Sequence, residues 1–395
     1  MPRFDAFRGV RYDPERVALA DVCSPPYDVI DGPTRALLAA RHPANAVGVD
    51  LPGPAEGAYA AAAERLAGWL ADGTLRRDQP SLYVYRMTHA DGDGGERRTT
   101  GVIGALELSA PGEGGILPHE HTTPKAKSDR LQLLRATRAN LSAVWALSPA
   151  PGLTELLEPD ADPVGAWSVD GIDHRLWRIT DPGRLAAITA CVGREPVVIA
   201  DGHHRYETSL AYRDEQRALG PDGAPGAEAV LAYVVELVDD ELEVRPIHRL
   251  VASLPGDLDL VDALGRWFDL TPVEPDDAVV DPDAPTRDAV GLVTPTGAWQ
   301  LAPKTEHEPT SRGLDSVRVD RALADAGVDD VVFEHDPRKV VDEVRASRAG
   351  AGFLLRAATV DQIVEIAHGG ERMPPKTTFF SPKPCTGAVF RLLDE

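Results

Sequence analysis

The sequence predicts a mixed α/β fold of the α+β class. Three observations carry that reading. Apolar segments of strand period and of helix period alternate along the chain, punctuated by Gly and Pro. The alternation contains no clean strand–helix–strand repeat of the kind a doubly wound sheet requires. No internal repeat of about 20–50 residues is visible, so solenoid architectures are set aside.

The elements follow in chain order. A helix over Thr34–Arg41 opens on Asp31 and Pro33, and a second over Ala55–Asp72 is followed by Gly73. Strands over Leu82–Met87 and Gly101–Leu108 flank the acidic, Gly-rich run Asp91–Gly95, which reads as a hairpin loop. Next come a helix over Ser128–Asn140 and strands over Ala143–Leu147 and Leu176–Thr180. A helix over Pro182–Val192, a strand over Pro196–Ala200, a helix over His204–Leu219 and a strand over Val230–Val238 complete the first part. Beyond it the pattern predicts helices over Leu258–Trp267, Leu314–Ala326, Pro337–Ala346 (opened by Asp336-Pro337) and Val360–His368. Strands are expected over Val290–Thr294, Gly352–Leu355 and Thr386–Leu392.

At about 150 residues per domain, 395 residues suggest two or three domains. A composition shift near Ala252–Gly256 places a boundary there, giving a first domain over 1–252 and an accessory α/β region over 253–370. The Pro- and Asp-rich run Glu274–Pro285 reads as a loop within the latter. The segment 371–395, rich in Pro, Lys and aromatics, is expected to return to the first domain.

Hydrophobic residues at 43% and charged residues at 26% describe an ordinary globular chain. The 41 Lys+Arg against 63 Asp+Glu leave a net charge of −22, which argues against a whole-surface nucleic-acid binder. The three cysteines, Cys23, Cys191 and Cys385, form no disulfide framework and no Cys-x-x-Cys, as a reducing cytoplasm would favour. The N-terminus lacks a signal-peptide apolar core, and no stretch approaches the about 18 apolar residues of a membrane helix. These readings predict a cytoplasmic protein with no membrane partner.

Four segments carry chemistry. The first runs Pro196-Val-Val-Ile-Ala-Asp201-Gly202-His203-His204-Arg205-Tyr206-Glu207-Thr208. A short buried strand, a tight Asp-Gly turn and a helix start bring free backbone N–H groups, two imidazoles and a guanidinium to one point, which suits a phosphate. Asp201 can cap the helix, orient a histidine or hold a metal-bound water; the plainer alternative is capping with packed histidines. The second segment is Pro118-His119-Glu120-His121-Thr122-Thr123-Pro124-Lys125-Ala126-Lys127-Ser128-Asp129-Arg130, continuing to Arg135 and Arg138. It concentrates positive charge in an acidic protein, either as a second phosphate wall or as a solvated basic helix. Arg130 and Arg138, eight apart, would share a helix face. Glu120 or Asp129 would serve Mg²⁺ or proton transfer. His119 and His121 make a weak metal pair with no clear third ligand.

The third segment, Asp21-Val-Cys23-Ser24-Pro25-Pro26-Tyr27-Asp28, is a proline-stiffened loop ending in a carboxylate. Asp28 is either a general base for a hydroxyl or a turn residue before the next helix. The fourth, Arg372-Met373-Pro374-Pro375-Lys376-Thr377-Thr378-Phe379-Phe380-Ser381-Pro382-Lys383-Pro384, would close Lys376 and Lys383 over phosphates or simply pack through its phenylalanines. Arg245-Pro-Ile-His248-Arg249 is a weaker basic candidate. The Walker loop, the Rossmann glycine fingerprint, the kinase His-Arg-Asp loop and the Gly-x-Ser-x-Gly elbow are all absent from the sequence.

Four motifs in order resemble a bacterial family, the domain of unknown function numbered 1015. They are Ser24-Pro-Pro-Tyr-Asp-Val-Ile, His119-Glu-His-Thr with Lys127-x-Asp129-Arg130, Ala200-Asp-Gly-His-His-Arg-Tyr-Glu-Thr, and Met373-Pro-Pro-Lys with Pro382-Lys-Pro. The core Asp201-Gly-His-His-Arg205 is similar to the signature of free-serine kinases, which implies a ParB/sulfiredoxin-like nucleotide-binding core with large insertions and a smaller C-terminal α/β region. Carried over, Asp201, Gly202, His203, His204 and Arg205 would bind nucleotide phosphates, assisted by Lys125, Lys127, Arg130, Lys376 and Lys383. Asp201 and Glu120 would hold Mg²⁺. Asp28 or Glu120 would be the base, Asp28 being favoured, with His204 beside it. Sulfiredoxins carry a cysteine where His203 stands, and partition proteins add a basic DNA-binding module that this sequence lacks.

The resemblance implies a kinase that passes a phosphoryl group from ATP or ADP to the hydroxyl of a small metabolite, free L-serine foremost. It implies no nucleic-acid partner and allows a homodimer. A nucleotide-responsive switch with a protein partner and a metal-dependent hydrolase built on His119, His121 and Asp201 are the alternatives.

Overall fold

Strands that read as continuous apolar runs in the sequence pair into one large sheet, and the helices between them cover it. The computed structural model describes residues 1–90, 95–110, 113–118, 124–238, 241–256, 258–274, 289–305, 313–369, 373–374 and 376–394. They divide into two units, one within 1–118, 124–242 and 382–394 and the other within 243–381.

In the first unit a nine-stranded sheet runs, in spatial order, Ile116–Pro118, Val197–Asp201, Val144–Ser148, Ala229–Glu236, Glu96–Glu107, Leu82–Ala90, Ile172–Ile179 and Gly165–Val169, with Phe4–Asp5 also paired to Glu96–Glu107. Val197–Asp201 lies parallel to Ile116–Pro118, and Ala229–Glu236 parallel to Val144–Ser148. The remaining ladders are antiparallel, including the hairpin that joins Leu82–Ala90 to Glu96–Glu107. The tip of that hairpin, 91–94, is outside the described residues. Val84, Val102, Val144, Ala146, Val197, Ile199, Ala232 and Val234 are fully buried and form one core with Ile188 and Tyr206. Such near-continuous apolar strands are what burial on both faces demands.

A second, four-stranded sheet pairs Leu75–Arg77, Gly9–Tyr12, Phe390–Leu392 and Ala139–Asn140. The helix Ala58–Ala71 packs its Ala62, Leu66 and Trp69 into the core that includes Tyr12, Leu75 and Phe390. The C-terminal segment is thereby woven into this unit: Phe390 pairs with Val10, and Arg391 with Asn140.

The second unit carries a six-stranded antiparallel sheet in the order Phe268–Val273, Gly297–Pro303, Val290–Thr294, Ala351–Leu354, His248–Val251 and Val331–Glu334. The helix Asp315–Asp325 contributes Val319, Ala322 and Leu323 to one core, and Pro337–Arg345 contributes Val340, Val341 and Val344 to another. A two-stranded ribbon joins Glu243–Pro246 to Thr378–Ser381. The run Glu274–Pro285 lies outside the described residues from 275 onward.

Most predicted elements stand within a residue or two of their expected ends. The strands expected over Leu82–Met87, Gly101–Leu108 and Leu176–Thr180 extend to Leu82–Ala90, Glu96–Glu107 and Ile172–Ile179, and the helix expected from Ala55 starts at Ala58. Three further elements differ for local physical reasons. The helix expected over Ser128–Asn140 runs Pro124–Thr137 instead, because Arg138 turns left-handed (φ 47°) and Ala139–Asn140 joins a sheet. The strand expected over Thr386–Leu392 is confined to Phe390–Leu392, since Gly387 adopts φ 101° and Thr386 forms only an isolated bridge to Ser24. The helix expected over Leu258–Trp267 shortens to Leu260–Leu264, capped by Asp259 through the backbone N–H of Asp262. The punctuation holds: Asp31 accepts from the Thr34 N–H at 2.8 Å and Asp336 from the Arg338 N–H at 2.9 Å. No helix among the described residues is long and apolar enough to cross a membrane.

Candidate functional site

The site begins where the strand Val197–Asp201 ends. Gly202 turns the chain with φ 89°, a left-handed conformation that suits glycine, and the helix His203–Ala218 starts at once. This turn aims the Asp201 carboxylate and the Arg205 guanidinium at each other: Arg205 donates to Asp201 Oδ2 at 2.5 Å and also to the Ala143 carbonyl. Asp201 makes no cap to its helix. Its second oxygen, Oδ1, accepts from Lys383 Nζ at 2.7 Å, and the same ammonium lies 2.5 Å from Asp28 Oδ2. Residues from three distant segments thus meet: the proline-stiffened loop, the strand–helix turn and the C-terminal tail.

The electrostatics follow from this packing. Burial pushes the Asp201 carboxyl upward, but the Lys383 ammonium and the Arg205 guanidinium outweigh it and hold the group well below the usual carboxylate range, with His203 adding to the effect. Burial likewise opposes the charge on Lys383 and on Arg205. Asp201 and Asp28 reverse that and hold both cations above their ordinary values. His203 is buried and His204 half-buried.

Beside this cluster a cavity of about 50 Å³ is lined by Tyr27, Asp50, Arg130, Ser142, Arg205 and Thr208. Arg130 donates to the Asp50 carbonyl at 2.6 Å, pairs with Asp129 at 2.7 Å, and lies over the Tyr27 ring with its guanidinium carbon 4.2 Å from the centroid. Asp129 is oriented in turn by the Tyr59 hydroxyl, which donates at 2.5 Å. Asp50 is buried and its carboxyl raised: desolvation dominates, while Arg130, Arg205 and a 3.2 Å hydrogen bond from Thr386 act against it. Burial also pushes the Tyr27 phenol up to about 12. Two guanidinium groups, one ammonium and the start of a sixteen-residue helix therefore surround three carboxylates, Asp28, Asp50 and Asp201. Guanidinium, ammonium and helix-start N–H groups are of the kind that meet anionic oxygens, and carboxylates of the kind that accept a proton.

The structure brings together Asp28, Asp201, Gly202, Arg205, Lys383 and Arg130 of the sequence-derived set. Lys376 falls in the second unit, where its carbonyl accepts from the Arg249 guanidinium at 2.9 Å. Glu120, His119 and His121 lie outside the described residues, as do the side chains of Lys125 and Lys127 on the helix Pro124–Thr137. The expected shared face of Arg130 and Arg138 does not form, because Arg138 lies past the helix end and pairs with Asp394 at 2.6 Å. Arg135 pairs with Glu215. The weaker basic candidate is architectural: Arg249 is fully buried and bound to Asp320 at 2.8 Å, and His248 accepts from the Leu355 N–H. Among the described residues no three His, Cys, Asp or Glu side chains group as metal ligands.

Sequence reasoning missed Asp50. Its signal was present: a carboxylate directly after the apolar run Ala46–Val49, at the end of the short helix Val47–Asp50, has to be buried and therefore partnered.

A family described as "Protein of unknown function (DUF1015)" matches residues 4–319. No curated protein matches the chain. Among solved structures, a mutant free serine kinase in complex with AMP aligns with a TM-score of 0.41 at 14% identity, covering 71% of this chain and 89% of that one. A conserved hypothetical protein from Pyrococcus furiosus aligns at 0.37 and 14%, covering 70% and 90%. SbnI with a C-terminal truncation, from Staphylococcus aureus, aligns at 0.39 and 12%, covering 72% and 85%.

Proposed function

This chain belongs to the DUF1015 family, and we propose that it is a nucleotide-dependent kinase transferring a phosphoryl group to the hydroxyl of a small molecule, with free L-serine as the acceptor. The observation that carries the reading is the convergence of Lys383, Arg205 and the helix start at Gly202 on Asp201 and Asp28. Phosphoryl transfer asks mainly for positioning and for neutralisation of phosphate charge, and these groups are of the kind that supply both.

In the proposed reaction Asp28 takes the proton of the acceptor hydroxyl. The hydroxyl oxygen forms the new bond to the terminal phosphorus, and the bond from that phosphorus to the bridging oxygen breaks. The products are a phosphate ester and the nucleotide shortened by one phosphate, ATP or ADP being the donor. Arg205, Lys383 and the backbone N–H groups after Gly202 hold the phosphates, with His203 and His204 donating beside them. Lys125 and Lys127 stand as further phosphate ligands in this reading, and Glu120 as the alternative base. Mg²⁺ would accompany the nucleotide in this reading and would supply charge neutralisation at its phosphates. Asp201, with both oxygens engaged by Lys383 and Arg205, is not an open ligand for a resident ion.

The test is a phosphoryl-transfer screen. Purified protein, Mg²⁺ and ATP or ADP are incubated with pools of hydroxylated metabolites including L-serine, and products are read by mass spectrometry. The expected result is O-phosphoserine, lost by about 10²–10³-fold in Arg205→Ala and His204→Ala while the fold persists. Nucleotide binding without any phosphate ester would replace the kinase with a nucleotide-responsive switch. Neither binding nor product would end the reading.

A further inference from the structure

Lys383 is not held out toward an incoming phosphate. Its ammonium lies between two carboxylates, 2.5 Å from Asp28 and 2.7 Å from Asp201, with the side chain only 9% exposed. The two carboxylates differ in their dependence on it. Asp201 keeps Arg205 on its other oxygen, so it retains a counter-charge if the ammonium leaves. For Asp28 the contact with Lys383 occupies one oxygen, Oδ2, of the carboxylate that the kinase reading makes the base.

The backbone around Lys383 is fixed, and its side chain is held by two carboxylate partners. Pro382 and Pro384 flank it and restrict the main chain. One residue on, the Cys385 N–H donates to the Tyr85 hydroxyl at 3.2 Å, and Thr386 exchanges both backbone hydrogen bonds with Ser24. The flexible four-carbon stem lets the ammonium exchange one counter-charge for another without a change in the main chain. A terminal phosphate carries more charge than either carboxylate, so it competes for the ammonium when it arrives.

We infer that Lys383 is a latch on this site: it pairs with Asp28, moves onto the terminal phosphate when nucleotide binds, and so uncovers Asp28 for the acceptor hydroxyl. The inference rests on the kinase reading above. It makes the order of events compulsory, nucleotide before deprotonation of the acceptor. It also prevents an unpaired base from activating water in the absence of nucleotide. The latch step moves one ammonium between counter-charges and makes or breaks no covalent bond.

A double-mutant cycle tests it. Binding of the non-transferable β,γ-imido analogue of ATP with Mg²⁺ is measured by calorimetry on the full chain, in wild type, Asp28→Asn, Lys383→Met and the double variant. Lys383→Gln replaces the methionine variant if the latter fails to fold. The latch predicts that Asp28→Asn tightens binding about tenfold by releasing the ammonium, and that this gain vanishes when Lys383 is gone. An equal gain with and without Lys383 would mean that Asp28 only repels the phosphates. The latch would then be wrong and the kinase reading untouched. No analogue binding by wild type, together with no product in the transfer screen, would remove the kinase reading and the latch with it.

Discussion

Lys383 reaches Asp201 across 182 positions of sequence, its Nζ lying 2.7 Å from Oδ1. The contact ties the end of the chain to the turn that opens the helix His203–Ala218, and Asp28 and Arg205 complete the ring of charge. Four side chains from three segments therefore depend on one another, and the geometry of any one can be tested through the rest.

Gly202 is the backbone pivot of that ring. A Cβ there would lie 2.9 Å from Arg205 Nε and 3.0 Å from its Cζ, at a φ of 89° that L side chains rarely adopt. Gly202→Ala is therefore expected to cost about 1–2 kcal/mol in backbone strain and to push Arg205 off Asp201. Urea unfolding reads the first effect, and a weakened affinity for ATP reads the second. A variant with wild-type stability and affinity would show that the turn is not what positions Arg205.

Asp201 predicts the acid limb of stability. Its carboxyl is held below the unfolded value of about 3.9, so the folded chain resists protonation longer than the unfolded one. The stabilisation is present above that unfolded value and is lost as the pH falls through the folded one. Asp201→Asn should lower stability at neutral pH and flatten the loss below about pH 4. Urea midpoints of wild type and variant, followed from pH 7 to pH 2, should converge on the acid side. Parallel curves would mean that the Lys383 and Arg205 contacts contribute nothing to folding.

Asp50 and Arg130 make a second buried dependence. The Arg130 side chain is 7% exposed and that of Asp50 5%, and Thr386 donates to Asp50 Oδ2 at 3.2 Å. Removing the Asp50 carboxylate takes one of two counter-charges from Arg130, Asp129 remaining at 2.7 Å, and leaves the Thr386 hydroxyl without its acceptor, so Asp50→Ala should destabilise the chain by about 1–3 kcal/mol. Asp50→Asn, which keeps the shape and a hydrogen-bond acceptor, should cost less. Denaturant unfolding of the two variants checks the order, and equal small losses would show that Arg130 is satisfied by Asp129 and the Asp50 carbonyl alone.

The sequence carried the local part of this site and not its assembly. The strand, the Asp-Gly turn and the helix start are set by neighbours within about ten residues, and period and punctuation show them directly: the strand ends at Asp201 and the helix begins at His203. Arg138 was misplaced because its left-handed turn answers to the sheet that Ala139 and Asn140 join, a partner supplied by Phe390–Leu392 more than 250 positions away. Asp28 read equally well as a turn residue, since nothing within reach of it in sequence says that Lys383 will be its partner. Short strands such as Gly9–Tyr12 and Leu75–Arg77 escape the sequence for the same reason, being too short to show a period before the sheet defines them.

Two buried histidines give the pH dependence on the neutral side. His174 lies face to face with Trp167, ring centres 5.1 Å apart at 17°, and shares a 2.8 Å hydrogen bond with the Tyr85 hydroxyl. Burial lowers it to about 4, against a slight upward pull from Asp173. His248, in the second unit, is lowered to about 4 by burial first and then by His335 and Arg249. Unfolded, each takes up a proton near pH 6.5, while folded each stays neutral until about pH 4. Stability is therefore fully present above pH 6.5 and declines as the pH falls toward 4. Between pH 6 and pH 5 each histidine should contribute about 1 kcal/mol of loss per pH unit. His174→Gln and His248→Gln should each remove that slope from their own unit, whatever they do to stability at pH 8. Urea unfolding at half-unit pH steps measures it, and proton NMR of the ring resonances gives an independent reading. A His174 ring that titrates near 6.5 in the folded chain would show that water reaches the stack between Tyr85 and Trp167, and the predicted slope would be absent.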